Sequence, residues 1–140
     1  MPQNQFSQLS DISENEIEVH LGENGILAVF QLNKIVNHQV KRYFIIKNTE
    51  QVSRGGHSHK KCFQSLVCIS GFILIRCKDG KQERIIKMTD LNKIITIPPS
   101  IWVEIEMDKS SILGVFCSHT YTEQDYIRNW QEFLSSRGIK

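Results

Sequence analysis

With 140 residues, a hydrophobic share of 40% and a charged share of 23%, the chain has the size and composition of one soluble domain with a proper core. A formal net charge of +2 is too small for a nucleic-acid binder, and the basic residues do not cluster beyond pairs such as Lys41-Arg42 and Lys60-Lys61. No apolar run approaches the ~20 residues that span a bilayer, so neither nucleic acid nor membrane is an expected partner.

Residues 1–14 form a polar segment rich in Gln, Asn and Ser, without the basic start and apolar run of a secretory signal. Residues 15–140 read as a single domain. Short runs rich in Ile, Val and Phe follow one another, predicting strands over 26–32, 40–46, 63–70, 72–78, 82–88, 93–98, 101–107 and 112–118. The stretch 16–20 also alternates like a strand, fit either for an interface or for an edge of its own sheet. Asp79-Gly80 supplies the positive φ angles of a tight hairpin, Ser70-Gly71 a second reversal and residues 108–111 a third. Pro98-Pro99 must fall at a strand end, because proline cannot donate to a sheet ladder. Eight strands at this spacing predict an all-β, antiparallel barrel or jelly roll.

The exception is the C-terminus. Thr122 followed by Asp125 resembles a capping box, and Tyr126, Ile127, Trp130, Phe133 and Leu134 follow at helical spacing, predicting one helix over 122–136. Its aromatic stripe is read as packing. Cys62, Cys68, Cys77 and Cys117 show no CxxC pair or zinc spacing and read as buried free thiols, which points to the cytoplasm.

The chemistry-bearing segment is Arg-Gly-Gly-His-Ser-His-Lys-Lys at 54–61, followed by Gln64 and Gly71. On a strand, His57 and His59 share a face, so two imidazoles in a cavity can bind a metal or move protons. The plain alternative is two surface histidines on a polar turn. His-x-His, four residues, an acid or amide, six residues and Gly resembles the first cupin signature. Metal-binding cupins carry Glu where this chain has Gln64, and a histidine where it has Val103. Two imidazoles and an amide make a poor catalytic metal site, so no metal and no cofactor are expected.

Several segments together resemble the dTDP-4-keto-6-deoxyglucose 3,4-ketoisomerases. They are Lys41-Arg42-Tyr43-Phe44-Ile45, the 54–61 block, Gln64 to Gly71, Ile97 to Trp102, and Tyr-Thr-Glu-Gln-Asp-Tyr-Ile-Arg at 121–128. The likeness runs from about residue 22 to 134. It implies a cupin-fold homodimer that moves a carbonyl from C4 to C3 of a dTDP-linked hexose, on routes to 3-amino-3,6-dideoxy sugars. It also implies His59 as principal base, His57 as assistant and Tyr43 as a hydrogen-bond donor. Arg54 is implied as a diphosphate partner, with Gly56, Lys60, Gln64, Arg42 and Trp102 completing the substrate-binding set.

Three departures stand out. Relatives often carry two adjacent tyrosines where this chain has Tyr43-Phe44, and a one-residue gap near this strand leaves open which of the two faces the sugar. Val103 replaces a polar residue and Asn24 a larger one, so the configuration at C4 of the product stays open. A 3,5-epimerase, a non-catalytic binder of a sugar nucleotide and a metal-dependent oxygenase are the rival readings.

Overall fold

Side chains point alternately to the two faces of each strand, and the chain buries the apolar faces by stacking two sheets. The computed structural model describes residues 6–140. In chain order the strands are β1 (Ser13–Asn15), β2 (Glu18–Gly22), β3 (Gly25–Val29), β4 (Arg42–Lys47), β5 (Val52–His59) and β6 (Gln64–Ser70). There follow β7 (Phe72–Lys78), β8 (Glu83–Thr89), β9 (Ile94–Ile97), β10 (Trp102–Met107), β11 (Ile112–Cys117) and β12 (Tyr126–Ile127). The helices are α1 (Leu32–Ile35) and α2 (Trp130–Ser136).

One five-stranded sheet runs β1-β9-β6-β11-β4, the other β12-β5-β10-β7-β8, and every pairing is antiparallel. The expected all-β fold with a C-terminal helix is present, as a cupin-like sandwich of two sheets that do not close into a barrel. A third, two-stranded ribbon pairs β2 with β3.

Between the sheets lies the main core, with Leu66, Cys68, Ile73, Ile75, Met88, Met107 and Leu113 at its centre. The outer face of the first sheet carries a second cluster, where Val67, Ile94 and Phe116 meet Ile17, Ala28 and Phe30 from the ribbon and its flanks. The outer face of the second sheet carries a third, where Trp102 and Ile127 are covered by Phe133, Trp130 and Leu134 of α2.

The turns differ in what they join. Asp79-Gly80 does form the β7–β8 hairpin, with the Asp79 carboxylate accepting from the backbone N–H groups of Lys81 and Gln82. Gly71 instead carries the chain from one sheet to the other. Its φ is +94°, and a Cβ there would meet Ser111 Oγ at 2.8 Å, so only glycine fits. Pro98-Pro99 follow the end of β9.

Two expectations need correction. The helix does not span 122–136. A 3-10 turn occupies Glu123–Asp125, Tyr126 and Ile127 pair with His59 and Ser58 as β12, and α2 begins only at Trp130. Its cap is Asn129, whose side chain accepts from the Glu132 N–H at 3.0 Å. Nor is 6–14 a separate segment: β1 pairs with β9, Ile12 is buried in the core, and Arg84 binds the carbonyls of Leu9 and Ile12. Residues 1–5 lie outside the described residues.

Candidate active site

The site begins with an irregularity in β5. Arg54 stands opposite Ile105 and His57 opposite Val103 on β10, with one extra residue on β5 between them. That bulge uses Gly55 and Gly56, at φ +86° and +74°. A Cβ on Gly55 would sit 2.7 Å from the Val103 carbonyl oxygen, so glycine is required for the two strands to approach. The extra residue resets the alternation, and His57 and His59 point between the sheets beside Val103.

Both imidazoles are enclosed. His59 is 6% exposed, and its Nδ1 lies 2.9 Å from Asp125 Oδ2. The carboxylate therefore takes the Nδ1–H and leaves Nε2 of the neutral ring as an acceptor. That Nε2 is buried with no hydrogen-bond partner among the described residues, as is Nδ1 of His57. The two rings meet edge-on at 5.1 Å. Burial, reinforced by the nearby His59 and Arg128, pushes the His57 pKa down to about 4, so this imidazole is neutral at pH 7. Burial opposes ionisation of Asp125, but the hydrogen bonds from His59 and from the Lys61 N–H outweigh it and hold the carboxyl below its usual range.

β12 lays Tyr126 against both histidines, with ring centroids 4.4 Å from His59 and 5.0 Å from His57. Arg128 stacks on the Tyr126 ring at 4.2 Å and is paired with Glu123 at 2.6 Å, which brings the Glu123 carboxyl down to about 2. Facing this group is the inner row of the first sheet, Arg42, Cys117 and Gln64, which are register partners across β4, β11 and β6. Arg42 donates to Cys117 Sγ at 3.4 Å, and Gln64 Nε2 to the same sulfur at 3.6 Å. Burial works against the Arg42 charge, yet Cys117 and the Tyr126 hydroxyl facing it raise its pKa overall. Arg42 Nε is buried without a hydrogen-bond partner among the described residues.

His59, Cys62 and Asp125 place a nitrogen, a thiol and a carboxylate within 4.8 Å of one another, a donor set suited to zinc. Nδ1 and Oδ2 are already engaged at 2.9 Å, whereas two such ligands on tetrahedral zinc stand about 3.3 Å apart. An ion there would have to replace the hydrogen bond that orients His59.

A scan against family models matches residues 8–138 to the family described as FdtA: WxcM-like, C-terminal. The chain belongs to this family. It is 30% identical over 115 residues to a TDP-4-oxo-6-deoxy-alpha-D-glucose-3,4-oxoisomerase of Aneurinibacillus thermoaerophilus, covering 81% of this chain and 83% of that one. Among solved structures it matches QdtA, a sugar 3,4-ketoisomerase from Thermoanaerobacterium thermosaccharolyticum in complex with TDP. There the TM-score is 0.87 at 28% identity, covering 94% of this chain and 97% of that one. A 3,4-ketoisomerase from Helicobacter canadensis matches with a TM-score of 0.86 at 27% identity, covering 91% and 98%.

As a member of this family, the chain brings together only part of the site drawn from its sequence. His57, His59, Arg42 and Gln64 share the space between the sheets. Tyr43 does not: it follows Arg42 by one residue, so it points out of the opposite face of β4, 46% exposed and stacked on Phe116 at 4.4 Å. Phe44 is the inward neighbour, under Arg42. Trp102 also faces outward, packed beneath α2 with its Nε1–H donating to Glu104. Arg54 is exposed, three residues before His57 (roughly 10 Å of strand), and donates to Asn48 Oδ1. Gly56 shapes the bulge, and Lys60 borders a separate hollow with Lys61, His119 and Asp125. Sequence reasoning missed Asp125, Tyr126 and Arg128 as site residues. All three lie in the 121–128 block that carries the family likeness, where the apolar spacing predicts helix.

Proposed function

We propose that the chain is a sugar-nucleotide 3,4-ketoisomerase acting on a dTDP-linked 4-keto-6-deoxyhexose. The observation that carries this reading is His59: a carboxylate fixes its Nδ1–H, and its buried Nε2 lone pair is unengaged, in a chain whose relatives bear this activity. A proton on C3, made acidic by the C4 ketone, is what such a base removes, and the same imidazole can return it to C4 of the enediol. His57, neutral at pH 7, is the second proton acceptor beside it. Arg42, charged and with a free Nε–H, faces the developing oxyanion. The histidines do this work without a metal.

The assembly proposed is a homodimer. The β2–β3 ribbon stands outside both sheets and exposes Leu21 (80%), Ile26 (57%) and Leu27 (61%), with Tyr43 and Ile45 also exposed on the outer face of β4. A two-stranded ribbon bearing exposed apolar side chains gains stability from a second copy. The cytoplasm is the proposed location, supported by four buried free cysteines. Among the described residues no helix is long and apolar enough to cross a membrane.

The test is product analysis by NMR after incubation with dTDP-4-keto-6-deoxyglucose in deuterated buffer. A carbonyl moved to C3 is the predicted result, and the coupling at C4 gives the galacto or gluco configuration. A ketone still at C4 with deuterium at C3 and C5 would identify a 3,5-epimerase instead, and binding without exchange a non-catalytic protein.

A further inference from the structure

The ketoisomerase reading moves two protons, and the two imidazoles, His59 with His57 beside it, serve the carbon-bound one. The carbon-bound proton travels from C3 to C4, while the oxygen-bound proton must travel from O3 to O4. Tyr43 points to the wrong side of its strand, and the inward residue beside it is Phe44, which has no hydroxyl. A phenol is nonetheless present in the site. Tyr126, held by the pairing of β12 with β5 directly opposite His59, lies against both imidazoles and turns its hydroxyl toward Arg42.

We propose that Tyr126 is the catalytic group that carries the oxygen-bound proton, resting on the ketoisomerase assignment of the same site. As His59 Nε2 takes the proton from C3, the C3–H pair forms the C3=C4 bond and the C4 carbonyl π pair moves to O4. O4 takes the proton of the Tyr126 hydroxyl, giving the enediol. In the second half the phenolate takes the proton from O3 as the C3 carbonyl forms, and the C=C pair takes the proton of the imidazolium at C4. Enzyme groups are restored and no co-reactant is consumed.

The surroundings suit that role. Arg42 has only N–H groups to offer, so it can donate to the phenol oxygen and leave the phenolic O–H for the sugar. The same guanidinium balances the phenolate formed between the two halves. Arg128, stacked on the ring at 4.2 Å and tied to Glu123, holds the ring plane in place. Tyr43 by contrast stacks on Phe116 and lines an apolar hollow with Phe30, Leu32 and Ile69.

The experiment compares Tyr126→Phe and Tyr43→Phe with the wild type, using dTDP-4-keto-6-deoxyglucose. Phenylalanine keeps the ring contacts with His57, His59 and Arg128, and melting temperatures report any loss of fold. The expected result is a kcat lowered about 10²-fold in Tyr126→Phe, with KM changed by less than about threefold. Tyr43→Phe is expected to match the wild type. A Tyr126→Phe kcat within about twofold of wild type, or a loss carried wholly by KM, overturns the proposal while leaving the ketoisomerase reading intact. A wild-type protein that moves no carbonyl overturns both.

Discussion

Arg42 and Tyr43 are neighbours in the chain and belong to two different regions of the molecule. The inner face of the sheet β1-β9-β6-β11-β4 carries Arg42, Cys117 and Gln64 in a row opposite the histidines, all buried or half-buried. Its outer face carries Tyr43, Phe116, Val67 and Ile69 against the ribbon, an apolar surface with no ionisable partner among its lining residues. A single step along β4 exchanges one environment for the other. A sequence motif can therefore sit at the right place along a strand while only half of its residues can reach the site.

Short of removing His59 itself, the largest effect that separates the two faces is expected from Asp125→Asn. An amide can present its N–H to His59 Nδ1 and trap the wrong tautomer, removing the Nε2 lone pair. We predict a kcat reduced by about 10²–10³-fold with little change in melting temperature, measured by steady-state turnover. Retention of turnover within threefold would show that the hydrogen bond is only structural.

Next comes acid sensitivity. The folded-state pKa of His57 is depressed to about 4 from 6.5, so between those values the unfolded chain binds a proton that the folded one does not. Stability from this source is complete above pH 6.5, falls as pH drops and levels off below pH 4, a loss of about 3 kcal/mol. Urea unfolding across pH 4–7 should show this slope in the wild type and lose most of it in His57→Asn. An equal slope in both would place the titration elsewhere. The smallest effect belongs to the outer face, where Tyr43→Phe is predicted to change turnover by less than twofold in the same assay.

The fold was legible wherever apolar residues alternated, and β4, β6, β7, β8, β10 and β11 lie close to their expected places. The strand bearing the histidines was harder to see. β5 reads Val-Ser-Arg-Gly-Gly-His-Ser-His, with no apolar alternation, because two of its positions are spent on the bulge and two on the site. β12 was hidden for the opposite reason. Tyr126, Ile127, Trp130 and Phe133 fit a helical period, but pairing of Tyr126 and Ile127 with His59 and Ser58 overrides it, and the helix starts late at the Asn129 cap. Asp125 is 66 residues from His59, so no local spacing could have joined them. The outward turn of Tyr43 and Trp102 was in principle readable from parity with Phe44 and Val103, once those two are assigned to the core.

The central claim is that His59 Nε2 is the base that opens the reaction at C3. The most direct test is deuterium exchange by NMR, with wild type and His59→Asn incubated in deuterated buffer with dTDP-4-keto-6-deoxyglucose. We predict deuterium incorporation and a new C3 ketone in the wild type, with both slowed by at least about 10³-fold in His59→Asn. Near-normal exchange in the variant would contradict the account and transfer the role of base to another group, with His57 the first to examine.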